Sequence, residues 1–175
     1  MCSLEKYHIN LLGLKADTET FELHLDDDFF AAVEGRDVQH GDVNATVRVT
    51  KVGNGYRLEM GVQGRVVVPC DLCLDDMEQP VEATNNLTVK LGNEYAEEDD
   101  TVTVDEREGI IDTSWFLYEM IVLAIPIKHV HEPGKCNPAM MKVLERHSAA
   151  RSSGGVQPDD PRWSELEKLK TILND

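Results

Sequence analysis

Positive charge is scarce in this chain. Its 175 residues carry 17 Lys and Arg against 33 Asp and Glu, a formal net charge of -16. Phosphate binding draws on clustered Lys and Arg, so this balance argues against nucleic acid or an anionic membrane as the main partner. It suits a basic macromolecule instead. Aromatic residues are few, at 6%, and they do not interleave with basic residues as a single-strand nucleic-acid platform requires. Long apolar runs are missing: the longest, Met120 to Ile127, is too short to span a bilayer. The start, Met1-Cys2-Ser3-Leu4-Glu5-Lys6, has no apolar signal-peptide core, so a cytoplasmic location is the expectation. Cysteine is limited to Cys2, Cys70, Cys73 and Cys136. In that compartment these are expected as reduced thiols or metal ligands, not as a disulfide framework. There is no Ser-His-Asp order, nucleophile elbow, phosphate-cradling loop or His-Glu-x-x-His, and no enzymatic activity is expected.

What is present begins with 41% hydrophobic residues, enough for a sizeable core. Tyr7 to Leu12 reads as a short strand. Thr20 to Leu25 alternates Phe21, Leu23 and Leu25 with Glu22 and His24, the period of a half-buried strand. Phe29 to Val33 reads as a helical turn. Val43 to Val49 alternates again, and Gly53-Asn54-Gly55 then predicts a tight hairpin into Tyr56–Met60, because Gly and Asn accept positive φ. Arg65 to Val68, stopped by Pro69, is read as a separate strand, and Val81 to Leu91 as the next. From Glu94 to Asp112 the acids are opposed by Arg107 alone; this reads as a solvated loop carrying a short strand, Val102 to Val104, or as an acidic docking surface.

Ile110 to Ile125 reads as the main helix, capped by Asp112 or Thr113, apolar nearly all round and so buried, and ended by Pro126. Lys128 to Arg151 is basic, with His129, His131 and His147, and Cys136 to Ala149 is a candidate helix. Ser152-Ser153-Gly154-Gly155 reads as a linker. Asp160 and Pro161 then open a last helix with Trp163, Leu166, Leu169 and Leu173 on one stripe. The organisation expected is an α+β domain over 1–148, a flexible linker over 149–158 and a C-terminal amphipathic helix over 159–175. The domain has an antiparallel β-rich N-terminal portion and a buried helix.

Cys70-Asp71-Leu72-Cys73 is the sharpest local motif. Two intervening residues let both sulfurs reach one metal ion, and structural zinc takes four ligands. Cys136 is a candidate third ligand and His131 or His129 a fourth; His129 and His131 read equally as polar loop residues near Pro133-Gly134. The same pair reads as buried or turn-forming cysteines without metal. A third reading is a thiol oxidoreductase, though such a pair normally opens a helix in a βαβ unit.

Three landmarks, taken in order, resemble the YceD family of large ribosomal RNA accumulation proteins. They are Cys70-Asp71-Leu72-Cys73-Leu74, then Ile111-Asp112 through Glu119 to Ile125-Pro126 and Cys136, then Asp160-Pro161-Arg162-Trp163 with Leu166 and Leu169. Leu72 stands where the family's signature has arginine, and Asn137-Pro138-Ala139-Met140-Met141 stands where many members have further cysteines. The resemblance implies a non-enzymatic role in accumulation of large-subunit ribosomal RNA in the bacterial cytoplasm. It also points to a small basic ribosomal protein as partner. The charge suggests that the acidic body attracts such a protein, or an assembly intermediate, and shields it before RNA does. Zinc held by Cys70, Cys73 and Cys136 and the thiol oxidoreductase are the competing functional readings.

Overall fold

The computed structural model describes residues 4–147; the expected linker and C-terminal helix lie outside them. A turn of 3-10 helix, Leu4–Tyr7, leads into β1 (His8–Asn10). Next come β2 (Thr18–Leu25), α1 (Asp27–Val33), β3 (His40–Val52), β4 (Gly55–Pro69) and β5 (Asp76–Gly92). They are followed by β6 (Ala96–Glu98), β7 (Thr101–Asp105), β8 (Ile110–Asp112), α2 (Ser114–Ala124) and α3 (Pro138–His147). This is the expected α+β class.

The sheet order is β2-β3-β4-β5-β7-β6, antiparallel except for the parallel β5–β7 pair. β1 and β8 form a separate ribbon. The alternation in the sequence sets which face is inward. Val43, Ala45, Val47 and Val49 on β3 and Tyr56, Leu58, Met60 and Val62 on β4 are buried while their neighbours are not. Gly53 has φ 59 in the β3–β4 turn, the left-handed conformation its sequence signalled.

Several boundaries expected from the sequence need correction. The stretch read as two strands after Gly55 is one, because Gly61 and Gly64 interrupt the hydrophobic pattern without breaking the ladder to β3 and β5. The main helix starts at Ser114, since Ile110–Asp112 pairs with β1 instead. Tyr7 closes a 3-10 turn and only His8–Asn10 are extended, so the first strand is shorter than its sequence suggests.

Helix α2 is positioned by side chains at its start. Asp112 Oδ1 accepts from the Ser114 N–H and hydroxyl at 2.9 and 2.6 Å. Thr113 donates from Oγ1 to the Tyr7 carbonyl at 2.8 Å. Phe116, Leu117, Tyr118, Met120 and Ile121 are buried, but Trp115 and Leu123 are exposed, so the helix is covered on one side rather than all round. It ends at Ala124, with Ile125 extended before Pro126, as the residue preceding a proline favours. Helix α3 buries none of its residues.

The Tyr118 hydroxyl reaches the α1–β3 connection, accepting from the N–H groups of Asp37 at 3.1 Å and Val38 at 3.3 Å. Val38 is fully buried. Tyr118→Phe therefore strands a buried donor and is expected to cost about 1–2 kcal/mol in chemical denaturation. A loss indistinguishable from zero would mean that water replaces the hydroxyl.

Candidate metal centre

The motif Cys70–Cys73 occupies the connection between β4 and β5. Pro69 ends β4, and the chain reverses over Cys70 to Asp75. The Leu74 N–H donates to the Cys70 carbonyl and the Cys70 N–H to the Asp75 carbonyl, both at 2.9 Å. Leu74 takes φ 62, a left-handed conformation uncommon for a side chain of its type. The result is a closed knuckle with Cys70 and Cys73 both buried.

The other half of the site comes from the irregular chain between α2 and α3. Four polar contacts fasten it to the knuckle. The Asp71 N–H donates to the His129 carbonyl at 3.0 Å. The His129 N–H donates to Asp71 Oδ2 at 2.8 Å, and the His129 ring lies 3.6 Å from Asp71 Oδ1. Asn137 Nδ2 donates to Asp75 Oδ2 at 3.1 Å. Asp71 and Asp75 thus grip the chain on either side of His131 and Cys136 and present those two residues to the thiols.

Cys70 Sγ is 3.9 Å from Cys136 Sγ, and Cys73 Sγ is 3.3 Å from His131 Nδ1. The four donor atoms all lie within 4.8 Å of one another. The three cysteines named from the sequence come together, and of the two candidate histidines His131 joins them. His129 is turned away, its ring facing Asp71 and the Pro126 carbonyl.

Burial pushes the Cys70 thiol up, but the backbone N–H groups of Cys73, His131 and Leu72, with the Cys73 thiol, bring its pKa down to about 6. Cys136 moves the other way. Burial, then hydrogen bonding and charge from Cys70 and Cys73, push it up to about 11. Hydrogen bonding thus favours the thiolate form at Cys70, while burial first, and then the neighbouring thiols, favour the protonated form at Cys136. Three sulfurs and one imidazole nitrogen form a donor set suited to a soft or borderline divalent ion, not to magnesium or calcium.

A cleft of about 690 Å3 opens beside the knuckle, lined in part by Arg36, Asp37, His40, Pro69, Ile127 and His129. Its lining includes Asp37, His40, Asp76 and His129 but neither thiol nor hydroxyl; the thiols of this region are those of the cysteine cluster. The Cys70–Cys73 pair sits in a strand-to-strand turn and opens no helix. That is unlike the setting in which a redox pair is usually activated.

Residues 58–170 match the family model described as large ribosomal RNA subunit accumulation protein YceD. The matched span contains the knuckle, α2, His131 and Cys136. No curated protein and no solved structure matches the chain.

Proposed function

Because the chain belongs to the YceD family of large ribosomal RNA subunit accumulation proteins, we propose that it is a non-enzymatic assembly factor that binds a basic ribosomal protein or a large-subunit intermediate. Membership carries the role in accumulation of the large-subunit RNA; the mode of action is our reading. The observation that carries it is the acidic excess and its placement. Glu94, Glu97, Glu98, Asp99 and Asp100 are exposed on and around the β6–β7 hairpin, and Glu106 and Glu108 are exposed just beyond it. Arg107 is the one basic residue between Glu94 and Asp112. A strand edge built this way resists pairing with other sheets and presents a negative field to an approaching cation. A basic ribosomal protein free of RNA is such a cation, and neutralising it would limit its aggregation until RNA takes over. The reading places the protein in the cytoplasm. Among the described residues, no helix is long and apolar enough to cross a membrane.

The test is capture of partners by tagged full-length protein from its native cytosol at low and at physiological ionic strength, identifying proteins and RNA together. Large-subunit ribosomal proteins are expected in the captured fraction. Electrostatically steered association weakens with salt, so association should slow by about tenfold across that range. Replacing Glu97, Glu98, Asp99 and Asp100 by the corresponding amides should reduce capture at low salt. A complex indifferent to both salt and these substitutions would refute the charge mechanism, and absence of ribosomal components would refute the assembly role.

A further inference from the structure

We propose that Cys70, Cys73, His131 and Cys136 bind one zinc ion as a closed structural site, with His131 Nδ1 as the fourth ligand. This inference does not rest on the ribosomal reading. It starts from distances. Tetrahedral zinc with Zn–S of about 2.3 Å and Zn–N of about 2.0–2.1 Å sets ligand separations near 3.8 Å for two sulfurs and near 3.5 Å for sulfur and nitrogen. The observed 3.9 Å for Cys70–Cys136 and 3.3 Å for Cys73–His131 bracket those values. A disulfide needs its sulfurs at about 2.05 Å, so the Cys70–Cys136 separation fits shared coordination and not a bond between them.

The neighbouring polar groups point the same way. The carboxylates closest in sequence to the thiols, Asp71 and Asp75, hold backbone and amide groups of the opposing chain. They therefore fasten the opposing chain two residues before His131 and one residue after Cys136, which limits where those two side chains can lie. Four protein donors leave no open position, which distinguishes a structural ion from one that activates water.

The role of the ion follows from where its ligands lie. Cys70 and Cys73 belong to the knuckle at the end of β4, whereas His131 and Cys136 belong to a stretch with no helix or strand of its own. Binding joins them and releases thiol protons to solvent. The ion thus fixes the chain after α2 against the sheet, a task the hydrogen bonds of Asp71 and Asp75 perform only at its margins.

Full-length protein should be produced with zinc in the medium, purified under reducing conditions without chelator and subjected to metal and thiol analysis. One zinc per chain is expected. Replacement by cobalt(II) should give the intense visible bands and thiolate charge-transfer absorption of a tetrahedral three-sulfur, one-nitrogen site. His131→Ala should lose the zinc while circular dichroism shows the sheet retained. His131→Cys should keep one zinc and shift the cobalt spectrum towards that of four sulfurs. Fully reduced thiols without zinc or cobalt binding would overturn the proposal, and so would a Cys70–Cys136 disulfide. Undiminished zinc with an unchanged cobalt spectrum in His131→Ala would overturn the ligand set. None of these outcomes depends on whether a ribosomal partner is found.

Discussion

Phe29→Ala should destabilise the protein by about 3–5 kcal/mol, lowering the melting temperature by roughly 10 °C or more. Phe29 is fully buried, with its ring 4.8 Å from that of Tyr7 and 5.3 Å from that of Phe30, both edge-on. Such pairs add about 0.5–1.5 kcal/mol beyond the area they bury. Asp26 fixes the ring's position by accepting from the Phe29 N–H at 3.1 Å, which caps α1. The helix is a single short element, and the void left by alanine would open among Tyr7, Phe30 and the sheet with little chain free to collapse into it. Thermal and urea unfolding measure the effect. A loss under about 1 kcal/mol would mean the pocket closes on alanine.

Gly64→Ala should be nearly as damaging although it adds one methyl. Gly64 lies on the inward face of β4, between Val43 on β3 and Val81 on β5. A Cβ there would stand 2.3 Å from the Asp42 carbonyl oxygen and 2.6 Å from the Val43 Cα. Both obstacles are backbone, so no side chain can swing aside, and relief requires β3 and β4 to separate locally. Overpacking of well-filled sites costs about 1–3 kcal/mol, and the upper end applies here. Gly61→Ala is the matched control, because nothing lies within 4 Å of a Cβ at that position. Equal effects of the two substitutions in denaturant unfolding would show that the close approach at Gly64 is not what makes glycine necessary.

Those two positions also show what the sequence can and cannot say. The alternation of Val43 to Val49 and the turn at Gly53 announced the central hairpin, because strand periodicity and positive φ are local properties. The glycines in β4 gave a false boundary. A glycine that breaks the hydrophobic pattern looks the same whether the strand stops or another backbone passes close by. Ile110–Asp112 was absorbed into the following helix for a related reason. Its apolar residues continue into α2, and only β1, a hundred residues earlier in the chain, makes them a strand.

At the candidate metal centre, spacing identified Cys70 and Cys73, and Cys136 stood out because cysteine is scarce. The choice between His129 and His131 was not legible. It is made by Asp71, whose carboxylate engages the backbone and ring of His129 and leaves His131 facing the thiols. A contact between residues so far apart in sequence leaves no periodic trace. The acidic stretch was legible as charge alone; its placement on the β6–β7 hairpin at the edge of the sheet came from the parallel pairing of β7 with β5.

The pairing of β1 with β8 also bears on the order in which the chain can mature. Synthesis runs from the N-terminus, so Ile9 and Leu11 emerge early, yet Ile9 pairs with Ile111 and the Leu11 N–H donates to the Gly109 carbonyl. The Thr113 hydroxyl and N–H that accompany this pairing both donate to the Tyr7 carbonyl. The hairpins from β2 to β5 can close as each strand appears, because their partners are neighbours in sequence. The segment His8–Leu11 has to wait until Gly109–Asp112 has been made before its strand partner exists. Closure of the β1–β8 ribbon is therefore expected to follow formation of the β2–β5 hairpins, out of the order in which the strands are made.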